Sequence, residues 1–229
     1  MNRFSKLTIG TILTTCLSTT TPAFAAQVSW TDWVSSPDQF TASGNLLVGT
    51  TSVNVDYLGT GAHGFVQTGT GTNFWTGPAY TRGTIDNAPP ASELVALSQG
   101  GTVTINFSQT VQDPLIGLIS WNNNTVDFGA PIQFDSFGQG FWGDGTPILN
   151  STGTGFFGSG ELHGVLRIPG SYDSIMFSHT GENWHGFTVG VSGLASPVPI
   201  PATVLLFGSG IIGLLGIRKI GRKNAAKLA

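Results

Sequence analysis

The strongest constraint on the fold of this chain is the strict alternation of apolar and polar residues in short stretches of its middle region. Val53, Val55 and Tyr57 alternate with polar residues, and the pattern recurs in GTVTINFSQ (101–109) and HGFTVGV (185–191). Successive side chains of a strand point to opposite faces, so a period of two places every second residue on the same face. The pattern therefore predicts strands with one buried face.

Glycine separates these stretches. Residues 27–195 contain 27 of the 33 glycines of the chain, about twice the ordinary share. They follow no fixed period, which argues against collagen-like and solenoid folds. Other apolar runs, such as PLIGLISW and LHGVLRI, are bounded by residues typical of turns. We predict an all-β fold, an antiparallel β-sandwich or jelly-roll-like single domain of about ten short strands, with one helical turn at 91–98.

Charge is divided between the middle and the two ends of the chain. Only Arg82 and Arg167 of the nine basic residues lie within 27–195, whereas all twelve acidic residues lie there. Two positive against twelve negative charges give this region a formal net charge of −10. Such a surface repels phosphate backbones, so we expect no nucleic-acid partner.

The N-terminus has the organisation of a secretory signal peptide. The basic stretch MNRFSK is followed by an apolar stretch from Leu7 to Leu17 and by Ala23-Phe24-Ala25, which matches a small-x-small cleavage site. We predict a signal peptide over 1–26, handled by the Sec translocon and signal peptidase. A lipoprotein site at Cys16 is the weaker alternative, because Thr15 is a poor fit before it. Cleavage removes the single cysteine, so the mature chain is expected to have no disulfide.

The C-terminus carries a second apolar segment. Pro199 and Pro201 precede an uncharged span at 202–217, about 24 Å long as a helix and slightly shorter than a hydrocarbon core. A basic tail follows at 218–229, which favours an orientation with the tail in the cytoplasm and the upstream domain outside. The basic residues directly after the span are Arg218, Lys219, Arg222 and Lys223. Small residues and prolines at 193–201 suit an extended linker.

The motif, the span and the tail, which together occupy 196–229, resemble the PEP-CTERM sorting signal of Gram-negative bacteria. The motif itself (197–202) contains Val198, Pro199, Ile200, Pro201 and Ala202. The resemblance implies recognition by an exosortase, a membrane protease that cuts near the motif, with a transient inner-membrane anchor and transfer to the cell surface or matrix. It also implies an association with exopolysaccharide and biofilm. Ile200 replaces the Glu of the Pro-Glu-Pro motif, which leaves the cleavage position open.

Within the ectodomain, 27–195, about residues 75–192 also resemble uncharacterised ectodomains that carry this sorting signal. The similarity is carried by PPASELVAL (89–97), ELHGVLRI (161–168) and ENWHGFTVGV (182–191). It brings no known activity to this region, so any function has to be argued from individual residues.

Two pairs of acidic and histidine residues are candidate metal ligands. Glu161 and His163 are two residues apart, and Glu182 and His185 are three apart. Imidazole suits zinc or copper and carboxylates suit harder cations, but the loose spacing equally fits hydrogen-bonded histidines at the edge of the core. Calcium at a loop is a further option. The aspartates considered for it are Asp127, Asp135 and Asp144. Turn aspartates that bind their own backbone are the simpler interpretation, and no cofactor is expected.

Aromatic residues beside polar residues in glycine-rich segments predict contact with carbohydrate. The candidates are Trp75, Trp121, Phe141, Trp142, Asp144 and Phe157. Aromatic rings stack on the CH faces of sugars, while amides and carboxylates bind the hydroxyl groups. Burial in the core is the alternative, since large aromatic residues are most often found there.

These features predict an exported, non-catalytic surface or matrix protein with a structural or carbohydrate-binding role. The alternatives are a secreted carbohydrate-active or metal-dependent enzyme and a permanently tail-anchored protein. No G-x-S-x-G nucleophile motif is present. A pair of carboxylates in a cleft beside Trp142 or Trp184 would favour the enzyme.

Overall fold

The computed structural model describes residues 27–195. The predicted signal peptide (1–26) and the predicted sorting segment (196–229), with its transmembrane helix at 202–217, lie outside the described residues. Between residues 27 and 195, no helix is long and apolar enough to cross a membrane.

The described region is built almost entirely from strands. It contains sixteen strands and one 3₁₀ helix. The first eight strands are β1 (Ser29–Trp30), β2 (Asp32–Ser35), β3 (Thr41–Val48), β4 (Thr51–Gly59), β5 (His63–Thr68), β6 (Glu93–Leu97), β7 (Gly101–Gln112) and β8 (Leu115–Ile119). The others are β9 (Thr125–Asp127), β10 (Gln133–Gly138), β11 (Gly145–Leu149), β12 (Gly155–Gly160), β13 (His163–Arg167), β14 (Ser171–His179), β15 (His185–Val191) and β16 (Gly193–Leu194). The 3₁₀ helix spans Pro78–Tyr80.

The strands form two antiparallel sheets, which confirms the predicted all-β class. The seven-stranded sheet has the order β10-β13-β8-β15-β6-β5, and β1 also pairs with β15. The nine-stranded sheet has the order β11-β12-β9-β14-β7-β4-β3-β2, and β16 also pairs with β7. All strand pairs are antiparallel.

The main core lies between the two sheets. In β4, Val53, Val55 and Tyr57 are buried while their polar neighbours are exposed, as the alternation predicts. They pack in one cluster with residues of the opposite sheet such as Ile116 and Phe187. The packing of apolar faces from both sheets gives a sandwich-like arrangement.

The seven-stranded sheet is buried on its second face as well. The connection from β5 to β6 crosses this face, where Trp75, Tyr80 and Ile85 form a second core with Leu94 and Val165. All seven residues of β15 are consequently buried. The expectation of a single buried face is therefore wrong for this strand, since the covering segment shields its other side from water.

Two glycines of β15 allow this close covering. A Cβ atom at Gly190 would lie 2.6 Å from both Trp30 Cε3 and Val28 Cγ1, and one at Gly186 would lie 2.5 Å from Leu94 Cδ1. Any larger residue would collide with the side chain of Trp30 on β1 or Leu94 on β6, the strands that pair with β15.

Residues 91–98 form no helical turn. Residues 93–97 are the fully buried strand β6, between β5 and β15. Hydrogen bonds to two neighbouring strands and burial on both faces outweigh the helical preference of ELVAL.

Candidate functional site

Several connections between strands converge on one open cleft of about 320 Å³. Its polar lining comes from the segments after β8, between β12 and β13, and between β14 and β15: Ser120, Asn122, Glu161, Glu182 and Asn183. Its aromatic lining consists of Trp142, between β10 and β11, and Trp184, just before β15. Residues that are far apart in sequence thus meet at the ends of neighbouring strands.

Four aromatic side chains form a continuous cluster along the cleft: Phe74, Phe141, Trp142 and Trp184. Phe74 stacks on Trp142 with ring centroids 5.3 Å apart, and Trp184 meets Trp142 edge-on at 4.7 Å. Phe141 contacts both Phe74 and Trp142. Trp142 is nevertheless 47% exposed and Phe141 41% exposed. Exposed aromatic residues that pack on one another form an apolar patch, the kind of surface that ligands cover.

Glycine places this aromatic cluster against the carboxylates. The segment 139–144 carries Phe141 and Trp142, and Gly145 ends it. A Cβ atom at Gly145 would lie 2.5 Å from the backbone nitrogen of Leu162 and 2.6 Å from the backbone carbon of Glu161. Only glycine permits this approach, which brings the Trp142 loop beside Glu161.

Asn122 connects the two carboxylates of the cleft. Its side-chain Nδ2–H donates to Glu161 Oε1 at 2.9 Å, and its backbone N–H donates to Glu182 Oε1 at 3.1 Å. The Ser120 hydroxyl donates to the other oxygen of Glu161. Ser120 and Asn123 both have a left-handed backbone, with φ of 55°. Such conformations are unfavourable for residues other than glycine and occur frequently at functional sites.

The environment of Glu182 favours its neutral form. Burial is the main cause that raises the pKa of this carboxyl to about 8; the Asn122 N–H opposes the rise, and the nearby Glu161 adds to it. A carboxylic acid that keeps its proton near neutral pH can donate a hydrogen bond as well as accept one.

Two histidines lie behind Glu182, and both are held neutral. His185 Nδ1 is 3.3 Å from Glu182 Oε1, and His185 Nε2 is 3.1 Å from His179 Nδ1. Burial, and then the His179 ring, lower the pKa of His185 to about 3, and burial lowers the pKa of His179. A charged pair would lower the pKa of Glu182 and raise the pKa of His185, the reverse of what their surroundings do. The contact is therefore a neutral one, with the proton on Glu182.

The candidate metal ligands do not form one group. Glu161 faces the cleft, whereas His163 is fully buried behind it, with its Nδ1 at 2.9 Å from the Tyr80 hydroxyl. Burial lowers the pKa of His163 to about 4. Among residues 27–195, no cluster of three or more His, Cys, Asp or Glu side chains is placed to hold a metal ion.

The three aspartates predicted as possible calcium ligands do not form a shared site: two bind other groups of the protein, and the third lies outside the cleft. Asp127 accepts a hydrogen bond of 2.8 Å from the Gly129 N–H, the turn interaction proposed as the simpler interpretation. Asp135 is paired with Arg167. Asp144 is exposed and lies outside the lining of the cleft.

The predicted carbohydrate-contacting residues divide between the cleft and other places. Phe141 and Trp142 belong to the aromatic cluster. Trp75 and Trp121 are 4% and 0% exposed, and their Nε1–H groups donate to the Glu93 and Gly186 carbonyls. Their rings offer no face to a ligand, so they are not retained as contact residues. Phe157 is partly exposed on β12, where it pairs with Ile148 away from the cleft.

Sequence reasoning missed several members of the site. Phe74, Ser120, Asn122 and Asn183 are not among the predicted site residues, and Glu161 and Glu182 are predicted only as metal ligands. The partial signal was the density of amides and aromatic residues in SWNNN and ENWHG.

No protein-family model, curated protein or solved structure matches this chain.

The arrangement is chemically suited to a ligand with both apolar and hydroxyl-bearing faces. The indole rings offer flat surfaces, and the amides and carboxyls beside them offer donors and acceptors. A cleft of this size and composition is typical of small-molecule sites.

Proposed function

We propose that the cleft of this ectodomain binds carbohydrate on an exported cell-surface or matrix protein. The observation that carries the proposal is the placement of the exposed Trp142 and the partly buried Trp184 directly beside Glu161, Glu182 and Asn122. Sugar rings have apolar CH faces that stack on indole rings, and their hydroxyl groups both donate and accept hydrogen bonds. The neutral Glu182 and the amides of Asn122 and Asn183 complement such groups.

The localisation of the protein is a separate part of the proposal. The N-terminal signal peptide and the C-terminal motif support Sec-dependent export, cleavage by signal peptidase, a transient inner-membrane anchor and recognition by an exosortase. The acidic, lysine-free ectodomain fits a location outside the cell, in an exopolysaccharide matrix or biofilm of a Gram-negative bacterium. A jelly-roll-like topology and a transmembrane sorting helix remain predictions.

The carbohydrate proposal is tested by glycan-array binding of the exported protein and two variants. Trp142→Ala is expected to abolish binding, because it removes the largest exposed ring of the cleft. Phe157→Ala is the matched control, since it removes a partly exposed aromatic residue outside the cleft. Binding that survives Trp142→Ala, or that is lost equally in Phe157→Ala, would contradict the proposal.

Mass spectrometry of the intact mature protein tests the proposed processing and localisation. Loss of everything after about residue 201 is expected if the C-terminal motif is processed. A retained basic tail, 218–229, would favour a permanently anchored protein instead.

A carbohydrate-active enzyme is the second candidate function, because the structure has two carboxyls in one cleft beside tryptophans. A glycosidase uses an acid with a raised pKa and a second carboxylate, one on each side of the scissile bond. Here Glu161 and Glu182 are both hydrogen-bonded to the same residue, Asn122, which suits a joint binding surface better. Release of reducing ends from a bound oligosaccharide, abolished in Glu182→Gln, would establish the enzyme.

A further inference from the structure

We infer that the cleft selects saccharides that carry a free amino group, bound as the ammonium ion, over neutral and anionic saccharides. This inference rests on the proposed function and names the class of sugar that the same cleft takes.

The charges of the cleft disfavour the binding of anionic sugars. Glu161 and Glu182 line it, and no Lys or Arg does. In residues 27–195 the basic residues are Arg82 and Arg167, of which Arg167 is paired with Asp135 and neither belongs to the cleft. A uronic acid or a sulfated sugar would therefore meet two carboxyls and no cation, which disfavours binding.

The aromatic cluster favours a cation that has apolar faces. Phe74 is stacked on Trp142, and Trp184 stands nearly perpendicular to Trp142, with an interplanar angle of 72°. Trp142 is still 47% exposed despite these contacts, and tryptophan is the best ring for binding a cation. An amino sugar presents an ammonium group and CH faces together, whereas a simple inorganic cation presents only charge.

An unpartnered buried atom behind the cleft also indicates a cationic ligand. His185 is fully buried, yet its Nδ1 has no hydrogen-bond partner, because the 3.3 Å approach to Glu182 Oε1 lacks hydrogen-bond geometry. An ammonium ion beside Glu182 would ionise this carboxyl. The carboxylate could then accept a hydrogen bond from His185 Nδ1–H, while His185 Nε2 accepts one from His179. A cationic ligand thus completes the hydrogen bonding of this group.

Ionisation of Glu182 has a measurable consequence. The pKa of about 8 means that Glu182 carries a proton at pH 6.5, and ammonium binding would release up to one proton to the solvent. The titratable groups that face Glu182 are Glu161 and His185, with His179 behind His185. The two histidines are neutral at this pH because their pKa values are lowered.

The test is isothermal titration calorimetry of the exported protein at pH 6.5, in two buffers with different ionisation enthalpies. The probes are a glucosamine tetramer, the corresponding N-acetylglucosamine tetramer, a galacturonic acid tetramer and tetralysine. The glucosamine tetramer is expected to bind about tenfold more tightly than its acetylated counterpart, a typical effect of a charge-assisted hydrogen bond that is partly exposed to solvent. Its binding to wild type should also release more protons than its binding to Glu182→Gln, because any proton taken up by the ligand amine is common to both proteins.

Two variants test which carboxyl gives the preference for the free amine and which gives the proton release. Glu161→Gln is expected to remove most of the tenfold preference, and Glu182→Gln is expected to remove the proton release. A cooperative thermal unfolding transition like that of wild type shows that each variant is folded. Asp86→Asn removes one charge at an exposed position outside the cleft and should preserve both effects.

The outcomes separate this inference from the proposed function. Equal affinity for the acetylated and free tetramers, tighter binding of the galacturonic acid tetramer, or equal binding of tetralysine would overturn the inference and leave carbohydrate binding to be judged on the acetylated tetramer. No binding of any saccharide would overturn both.

Discussion

Replacing Glu182 by glutamine is expected to stabilise the protein more as the pH rises. Burial raises the pKa of Glu182 from its ordinary value of 4.5 to about 8. The folded protein therefore holds a proton that the unfolded chain releases, so wild-type stability falls as the pH rises from about 4.5 to about 8 and levels off above that. Glutamine is neutral in both states. Its Oε1 can still accept from the Asn122 N–H.

The expected gain in the free energy of unfolding follows from the pKa shift of Glu182. One pKa unit corresponds to about 1.4 kcal/mol, so at pH 7 ionisation of Glu182 in the unfolded chain gives a cost to folding of up to about 3 kcal/mol. The side chain is 15% exposed, so residual solvation reduces this to about 1 to 3 kcal/mol.

The assay is denaturant unfolding of wild type and Glu182→Gln at pH values from 4.5 to 9. The free energy of unfolding of the variant should exceed that of wild type by an amount that is small at pH 4.5 and grows until about pH 8. Asp86→Asn, an exposed position outside the cleft, corrects for the change in net charge. Parallel curves for wild type and Glu182→Gln would refute the reasoning, since they would show that the protein does not hold this proton.

Three further predictions concern stability elsewhere in the molecule. In the Glu182→Gln background, acidification from about pH 6.5 towards pH 4 should lower the melting temperature, because the unfolded chain protonates His163 and His185, which the fold keeps neutral. A melting temperature that stays constant in calorimetry over this range would contradict that assignment. Gly190→Ala should cost about 1 to 3 kcal/mol in denaturant unfolding because its Cβ would meet Trp30 and Val28 at 2.6 Å, whereas Gly193→Ala, with nothing within 4 Å of the added atom, should be close to neutral; equal costs would show that Trp30 and Val28 shift without loss of stability. Trp142→Ala should lower the free energy of unfolding by about 1 kcal/mol or less, since the ring is 47% exposed, and a loss above about 3 kcal/mol would show a structural role instead of a binding role.

The strands with one buried face could be predicted from sequence because their pattern is local. In β4 and β7 the apolar residues alternate as Val53, Val55 and Tyr57 and as Val103, Ile105 and Phe107, and these residues are buried in the core. In β15 the same alternation does not reveal the second buried face, because Gly186 and Gly190 leave room for Leu94, Trp30 and Val28 to pack over them. A glycine in a strand is ambiguous in sequence, since it fits an exposed face and a tightly covered one equally well.

The cleft could be predicted only in part because its members meet through the fold. Asn122 binds Glu161 and Glu182, which are 39 and 60 residues further along the chain. The aromatic residues illustrate the same limit: Trp121 and Trp142 occur in similar polar, glycine-containing surroundings, yet one is fully buried against His185 and the other is half exposed. Their positions depend on which segment covers which end of the sheets, and no local pattern encodes this.

The most direct test of the central claim is a crystal structure of the exported protein with a bound glucosamine tetramer. We predict a sugar ring stacked on Trp142 or Trp184, with its ammonium group within hydrogen-bond distance of Glu161 or Glu182. A saturating ligand bound at another surface, with the cleft between these four residues empty, would contradict the account.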